Sequence, residues 1–511
     1  MALWERDASM HSIAKQIAWI GIVVIILVCG QQTFAASRSA AQGAEVAVDL
    51  TMDLTSESNW KFDGIENGDD LGWSVNGAGD LNGDGYDDIV VGAPLYGDDQ
   101  KGAAFVFYGA SSGLSLMPDW ENSGCDQGDR FGSAVSSAGD VNGDGFDDLM
   151  VGSDGYKVDF GTSGIPKSGA AFVYLGSSEG ITTTHVWTVT AEARDISFGY
   201  SVSSAGDINN DGYADVLVGA PYFETGVEQV NEGKVYLYLG SAAGLSTAPD
   251  WTFECNNPTA KCGQSVAPGG DVNNDGFADV IVGAPNYDDA DGDEGAAFIF
   301  LGSDAGISDT PDWMIVGESE GDNLGMSVAG AGDVNGDGFD DVLVGSPNAS
   351  DETYLDVGAA YLYLGSPTGP SLVPDWVTFG VETFSMYGSS VQGIGDVNND
   401  GYDDVVIGSH LYGMNGTELD DRPDEGAVYL YKGSPTGLSS EPDWFTVGGK
   451  ADVQFGFSVG HAGDVNGDYG ADVIIGAPKY RFDDKTVLGR ALVFYAQNVE
   501  DFKVYIPVTI E

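Results

Sequence analysis

Short apolar stretches separated by glycine-rich and acid-rich turns recur along the whole chain. In one unit the alternating segment Phe131–Val135 precedes an acidic turn, and in another the apolar run Ile89–Val91 follows one. A third stretch, Gly102–Gly109, is rich in aromatic and β-branched residues, and a Pro-Asp-Trp turn then leads to Trp120. Runs of this length and composition predict β-strands. Each unit therefore predicts four strands, and no unit shows the periodicity of an amphipathic helix.

The four-strand pattern repeats seven times, with units 60 to 68 residues apart. Four-stranded units of this length without helices are typical of radial repetition. We predict an all-β fold, a seven-bladed β-propeller of four-stranded blades with calcium-binding loops. A linear β-solenoid is the alternative, but its repeats are usually shorter. The fourth strands are predicted to begin at Trp60, Trp120, Trp187, Trp251, Trp313, Trp376 and Trp444.

The first of these tryptophans predicts how the ring closes. Trp60 lies before the first acidic turn, whereas no tryptophan strand follows the last aromatic segment, Ala491–Tyr495. We expect the strand at Trp60 to complete the seventh blade, which would leave the ring without an exposed strand edge.

The acidic turn has the pattern Asp-x-Asn-x-Asp-Gly-aromatic-x-Asp, here called the acidic loop, with positions numbered 1 to 9. Oxygen donors at alternate positions suit calcium, and glycine at position 6 permits a sharp turn. The predicted ligands are side chains at positions 1, 3, 5 and 9 and the carbonyl at position 7. They are Asp80, Asn82, Asp84, Tyr86 and Asp88; Asp140, Asn142, Asp144, Phe146 and Asp148; Asp207, Asn209, Asp211, Tyr213 and Asp215; Asp271, Asn273, Asp275, Phe277 and Asp279; Asp333, Asn335, Asp337, Phe339 and Asp341; Asp396, Asn398, Asp400, Tyr402 and Asp404; and Asp464, Asn466, Asp468 and Asp472.

The seventh loop departs from the pattern because Tyr469 and Gly470 exchange places. Glycine is then missing at position 6, so we expect a distorted or weaker seventh site.

Two other interpretations of the loops are less favourable. An EF-hand needs a bidentate glutamate at position 12, and that position is always Val or Ile in this chain. Plain hydrogen-bonded turns also favour Asp, Asn and Gly, but three carboxylates on one loop repel each other unless a cation is present. The seven loops together predict up to seven calcium ions.

Composition limits the partners. The 511 residues carry a formal net charge of −61, which disfavours direct binding to nucleic acid or to an anionic membrane surface. Arg6 and Lys15, the apolar run Ile17–Cys29 and the small residues near Ala36 predict a signal peptide at 1–35. An uncleaved anchor is the alternative. We expect a lead-in at 36–59, the propeller at 60–500, a tail at 501–511, and no later transmembrane span.

Cysteine and histidine are scarce. Cys125, Cys255 and Cys262 would remain after cleavage, and the last two are close enough in sequence for a disulfide or for two buried thiols. His185, His410 and His461 show neither zinc spacing nor a nucleophile motif. No enzymatic activity is therefore expected.

The repeats resemble the FG-GAP repeats of the integrin α-subunit N-terminal propeller. Phe198-Gly199, the loop Asp207–Asp215 and Gly219-Ala220-Pro221 carry this resemblance in one unit. Several units depart from it: Leu71, Cys262, Leu324 and Tyr387 replace the phenylalanine, and the final Gly-Ala-Pro varies at Gly152, Gly345 and Gly408. The resemblance implies calcium loops on one face and adhesion or ligand binding on the opposite face. The catalytic domain that accompanies such propellers in GPI-specific phospholipase D has no visible counterpart.

The connections between second and third strands vary in length and composition, as binding loops on a rigid scaffold do. A tyrosine follows the second strand in six units. We expect these tyrosines either to ring the central mouth as a ligand site or simply to fill the centre of the ring: Tyr96, Tyr156, Tyr222, Tyr287, Tyr412 and Tyr480.

The sequence as a whole predicts a secreted, calcium-binding propeller that acts as an integrin-like adhesion or ligand-binding module at a cell surface or in the extracellular matrix. We expect it to bind an extracellular protein or glycan as a monomer. The alternatives are a lectin-like propeller, a non-catalytic module related to those of secreted hydrolases, and a rigid spacer without a ligand.

Overall fold

The computed structural model describes residues 51–499 except 98, 160–167, 195, 225–229, 290–291, 352–354, 414–422 and 483–485. The predicted signal peptide and C-terminal tail lie outside these described residues. Twenty-eight of the 30 strands form seven four-stranded antiparallel sheets, and the described part of the chain contains no helix. The predicted seven-bladed, all-β architecture is confirmed.

The strands are numbered along the chain, and blades 1 to 6 each use four consecutive strands from β3 onward. Blades 1 to 3 contain β3 Ser74–Gly79, β4 Asp88–Ala93, β5 Ala103–Phe107 and β6 Trp120–Ser123; β7 Phe131–Gly139, β8 Asp148–Ser153, β9 Ala170–Tyr174 and β10 Trp187–Thr190; β11 Ser201–Gly206, β12 Asp215–Ala220, β13 Lys234–Tyr238 and β14 Trp251–Glu254. Blades 4 to 6 contain β15 Ser265–Gly270, β16 Asp279–Ala284, β17 Ala296–Phe300 and β18 Trp313–Val316; β19 Ser327–Gly332, β20 Asp341–Ser346, β21 Ala359–Tyr363 and β22 Trp376–Phe379; β23 Tyr387–Gly395, β24 Asp404–Ser409, β25 Ala427–Tyr431 and β26 Trp444–Val447.

Blade 7 joins the two ends of the described chain, as predicted. Its strands are β27 Ser458–Gly463, β28 Asp472–Ala477, β29 Arg490–Phe494 and the N-terminal β2 Trp60–Asp63. β2 pairs with β29, with Trp60 opposite Val493, and Arg490 forms an ion pair with Asp63. A further pair, β1 Thr51–Leu54 with β30 Ala496–Val499, extends this closure into the segment expected to be a lead-in.

The first strand of each blade lies innermost. Each first strand contacts the first strands of both neighbouring blades, and β27 contacts β3, so the ring is continuous. Every second strand is buried along its whole length. A strand that is covered on both faces must be apolar throughout, which explains runs such as Ile89–Val91.

The seven tryptophans link each blade to the next. The indole N–H of Trp120 in blade 1, for example, donates to the carbonyl of Thr182 in blade 2 at 3.0 Å. At the closure, Trp60 donates to Ser115 at 2.8 Å and Trp444 donates to Thr55 at 3.1 Å. The other four make the same contact. Indole nitrogen is a donor only, so the buried ring needs this carbonyl.

Cys255 and Cys262 form a disulfide that ties the end of blade 3 to the start of blade 4. Cys125 is an exposed thiol. Within the described ranges, no helix has the length and apolar character needed to cross a membrane.

Candidate functional site

The acidic loops are folded by hydrogen bonds between their own side chains and backbone. In blade 1, the carboxylate of Asp80 accepts the N–H groups of Gly83, Asp84 and Gly85 at 2.7–3.1 Å. Oδ1 of Asn82 accepts from the N–H of Asp84 at 2.9 Å. In blades 2 to 6, the N–H at position 5 likewise donates to the side-chain oxygens at positions 1 and 3. These bonds hold the oxygens of positions 1, 3 and 5 on one small, partly exposed loop.

Position 9 has a structural role that the sequence did not reveal. Asp88 is buried, and its two oxygens accept the N–H of Leu81 at 3.0 Å and of Gly109 at 2.9 Å. It therefore joins the loop, the second strand and the end of the third strand. The same pair of contacts is made by Asp148, Asp215, Asp279, Asp341, Asp404 and Asp472.

The donor chemistry of the loops fits a hard divalent cation. Carboxylate and amide oxygens are the ligands that calcium prefers, and a carboxylate oxygen that accepts one N–H keeps a second lone pair. Among the described residues, no three His, Cys, Asp or Glu side chains converge closely enough to hold a metal as they stand. The calcium ligands at positions 1, 3, 5, 7 and 9 therefore stay predictions, now placed on seven equivalent loops at one face of the ring.

Neighbouring loops are also bonded to each other. In all seven blades, the N–H at position 8 donates to the position-1 carbonyl of the preceding loop, as from Asp147 to Asp80 at 3.3 Å. In four pairs the position-8 aspartate also accepts the position-1 N–H: Asp87 from Asp464, Asp147 from Asp80, Asp340 from Asp271, and Asp403 from Asp333. Alanine occupies position 8 in blades 3, 4 and 7. The restriction of position 8 to Asp or Ala was the sequence feature that indicated this contact between loops.

Position 4 is a second feature that sequence reasoning missed. Its backbone φ is positive in every loop, from 54° at Asn210 to 78° at Gly467. Glycine and asparagine are the residues that tolerate this conformation best, and only these two occur there.

The seventh loop keeps the hydrogen bonds to its position-1 aspartate, Asp464, despite the exchange of Tyr469 and Gly470. It lacks the bond from position 5 to position 3, because Asn466 turns to Asp472 and donates to Oδ2 at 3.4 Å. The N–H of Tyr469 donates to Asp464 Oδ2 at 2.8 Å, which is the bond that Gly85 makes to Asp80 in blade 1. Tyr469 reaches this geometry with φ of 73° and is 72% exposed. The seventh loop therefore departs in the backbone strain at Tyr469 and in the rearranged Asn466 side chain, while a weaker calcium affinity of this loop stays a prediction.

We expect Tyr469→Gly to raise the melting temperature slightly. A non-glycine residue with left-handed φ costs about 1–2 kcal/mol. Glycine removes this strain, but it loses more chain entropy on folding, which offsets roughly 0.5–1 kcal/mol of the gain. The exposed ring contributes little packing. Calorimetry of the calcium-loaded protein should show a gain of about 1 °C or less.

A matched control is Tyr402→Gly in blade 6. The ring of Tyr402 lies over Gly336, where an added Cβ would be 2.6 Å from the ring. This variant should lower the melting temperature. A loss of stability in Tyr469→Gly would contradict the strain at that position.

The seven position-9 aspartates predict a pH dependence. Burial raises the pKa of Asp88, Asp404 and Asp472 to about 8. Burial likewise raises the pKa to about 7 at the other four, Asp148, Asp215, Asp279 and Asp341. These pKa values lie above those of aspartates in an unfolded chain, so the protonated aspartates stabilise the metal-free fold at low pH. That stability is lost as the pH rises toward and through 7–8.

The melting temperature of the chelated protein should therefore fall between about pH 5 and 8 and level off above that range. A bound cation favours the ionised form and should abolish the fall. Thermal scans across this range, with chelator and with excess calcium, measure both effects. A chelated protein whose stability rises over the range would contradict the assignment.

A central pocket lies at the other end of the first strands, away from the acidic loops. Its volume is about 580 Å³. The residue after the glycine of each unit's Phe-Gly motif lines it, so every blade contributes. These residues are Trp73, Ser133, Tyr200, Gln264, Met326, Ser389 and Phe457. Because this position varies from unit to unit, the sequence repeat gave no sign of a shared site.

The six predicted tyrosines are mostly placed elsewhere. Tyr222 lines the central pocket, with its ring centroid 6.3 Å from that of Tyr200. The other five pack within their blades against aromatic or cationic side chains: Tyr96 on Phe105, Tyr156 on Phe172, Tyr287 on Phe298, Tyr412 on Phe445, and Tyr480 on Arg490. The structure thus does not bring the six together at the mouth, and a ligand role for them stays a prediction.

Comparison with known families agrees with this repeat geometry. The FG-GAP repeat family matches six segments, one in each of blades 1 to 6: 71–107, 131–174, 198–238, 263–300, 324–363 and 387–431. The chain is an FG-GAP repeat protein. The matched segments run from the first strand to the third strand of each blade, and each includes an acidic loop.

Relatives of this FG-GAP protein include integrin α-subunits. Human integrin alpha-7 is 42% identical over 153 residues, which is 29% of this chain and 12% of the integrin. Integrin alpha pat-2 of Caenorhabditis briggsae is 32% identical over 247 residues, 46% of this chain and 19% of the relative. Bovine phosphatidylinositol-glycan-specific phospholipase D is 29% identical over 401 residues, 71% of this chain and 46% of the relative. The chain thus spans less than half the length of each of these relatives.

Proposed function

We propose that this protein is a secreted, calcium-binding adhesion or ligand-binding module that lacks catalytic activity. The observation that carries the proposal is the separation of two kinds of site on one closed ring. Seven oxygen-rich loops lie at one end of the innermost strands, and a pocket to which all seven blades contribute lies at the other.

Calcium would have a structural role. Bound at positions 1, 3, 5, 7 and 9, it would neutralise the carboxylates of each loop and hold neighbouring loops in register. The bonds between loops, such as Asp147 to Asp80, already join them into one ring. A rigid ring keeps the opposite face preorganised, which lowers the entropy lost when a ligand binds.

The absence of catalysis is supported by the state of the candidate acid–base groups. His410 lies at the pocket, but burial lowers its pKa to about 4, and its Nδ1 is 2.8 Å from the hydroxyl of Ser389. Among the described residues, no carboxylate is hydrogen-bonded to His410, so this neutral histidine lacks the partner that would orient it for general base catalysis. Similarity to integrin α-subunits favours adhesion, while similarity to a phospholipase D favours a module that accompanies a hydrolase.

A binding screen tests the proposal. Calcium-loaded protein, residues 36–511, is passed over immobilised extracellular-matrix proteins and a glycan array, and each positive is repeated with chelator. We expect saturable binding that chelation weakens. Absence of any saturable ligand would favour a spacer, and turnover of phosphatidylinositol-glycan by the purified chain would overturn the non-catalytic proposal.

A further inference from the structure

We propose that the central pocket binds a neutral, hexose-sized sugar unit. This inference rests on the proposed function, because it names the ligand class for the face opposite the acidic loops. It depends on three properties of the pocket: its charge, its aromatic rings and one buried polar atom.

The pocket is electrically neutral in a strongly acidic protein. Its charged lining residues are Arg130 and Asp154, and they are paired with each other at 2.8 Å. His410 is uncharged at neutral pH because burial lowers its pKa to about 4. An anionic ligand would meet the net charge of −61, and a cationic ligand would find the pocket's carboxylate already bound to arginine. A neutral polar ligand avoids both costs.

Aromatic rings from three blades line the pocket. Trp73 and Phe457 are in contact, with ring centroids 4.6 Å apart, and Tyr200 and Tyr222 lie together on blade 3. Such rings offer flat apolar surfaces that pack against the C–H face of a pyranose. The volume of about 580 Å³ is within the range of small-molecule sites, about 300–1,000 Å³.

Gln264 supplies the third property. Its Nε2 donates to the hydroxyl of Tyr200 at 2.9 Å, which leaves Oε1 buried and without a hydrogen-bond partner among the described residues. A buried acceptor left unsatisfied is costly, so a ligand hydroxyl that donates to it gains affinity. Ser133 and Ser389 add hydroxyl groups on other blades.

The test uses the calcium-loaded protein and simple probes. Methyl α- and β-glycosides of glucose, galactose, mannose and N-acetylglucosamine are titrated up to 20 mM by saturation-transfer NMR and calorimetry. N-acetyl-arginine amide is the cationic probe. We expect at least one glycoside to bind at least tenfold more tightly than the arginine probe. Binding of the arginine probe alone, or of neither probe class, overturns the inference.

Two variants locate the site. Trp73→Ala should weaken binding of the glycoside about tenfold through loss of ring contact. Gln264→Ala is a smaller change, so it still tests the site if Trp73→Ala does not fold. Phe482→Ala is the matched control because Phe482 is 70% exposed and does not line the pocket. Glycoside binding that both pocket variants leave unchanged overturns the inference.

Failure of the sugar inference is distinguishable from failure of the proposed function. If a matrix protein or glycan binds and neither Trp73→Ala nor Gln264→Ala weakens it, the binding module stands and the pocket is not its site. If nothing binds the protein in either experiment, both proposals fail.

Discussion

Chelation of calcium should lower the melting temperature of residues 36–511 by about 15–20 °C. A ligand present at a hundred times its dissociation constant stabilises the fold by about 2.7 kcal/mol per site. The unfolding entropy of a domain is about 2.1 cal/mol/K per residue, so for about 450 residues 1 kcal/mol corresponds to roughly 1 °C. Seven sites that bind with similar affinity therefore give a shift of this size, with six or seven ions counted per chain by mass spectrometry.

The shift should be traceable to single loops. Asp211→Ala removes a position-5 carboxylate, whose Oδ1 accepts the N–H of Tyr213 at 3.1 Å. It should lower the calcium-loaded melting temperature by a few degrees and lower the ion count by about one. Asp309→Ala is the matched control because Asp309 is an exposed acid outside the loops. Equal effects of the two substitutions would contradict the assignment, and a chain that binds no ions would overturn it.

Deletion of residues 50–64 should abolish cooperative folding. This change removes β1 and β2, and with them Trp60, which is 3% exposed in the core of blades 7 and 1. Loss of a buried tryptophan alone costs about 3–5 kcal/mol, compared with a total stability of about 5–15 kcal/mol for a typical domain. The deletion also exposes the edge of β29 and removes Thr55, the acceptor for Trp444.

Circular dichroism and analytical ultracentrifugation should show an aggregated or molten product. Deletion of residues 36–48, which leaves both strands intact, is the control and should melt like the parent protein. Adding a synthetic peptide of residues 50–64 should restore part of the cooperative transition, because it can pair with β29. A truncated chain that melts cooperatively at the parent temperature would show that closure by β2 is unnecessary.

The sequence predicted features that lie within one repeat. The tryptophan strands begin at Trp120 and its six counterparts, and the closing role of β2 follows from the position of Trp60. In each case the deciding residues are neighbours in the chain or are equivalent positions of a regular repeat.

Features that depend on contacts between distant residues were not predictable in the same way. The two hydrogen bonds that Asp88 accepts from Leu81 and Gly109 require the third strand to end beside the loop. The bond between Asp147 and Asp80 requires two blades side by side. The placement of Tyr96 against Phe105, rather than at the mouth, depends on the packing of its own blade.

The acidic loops of blades 6 and 7 are held together less firmly than those of the other neighbouring blades. Position 8 of the seventh loop is Ala471, and position 7 is Gly470. At four other junctions an aromatic ring at position 7 covers the preceding loop, as Phe146 covers Gly83. The backbone bond from Ala471 to Asp396 is the longest of its kind, at 3.4 Å, and a cavity of about 550 Å³ opens beside Tyr469. Under a mechanical load that pulls outward on the ring, we expect this junction to separate first, and it borders the same blade 7 that β2 completes.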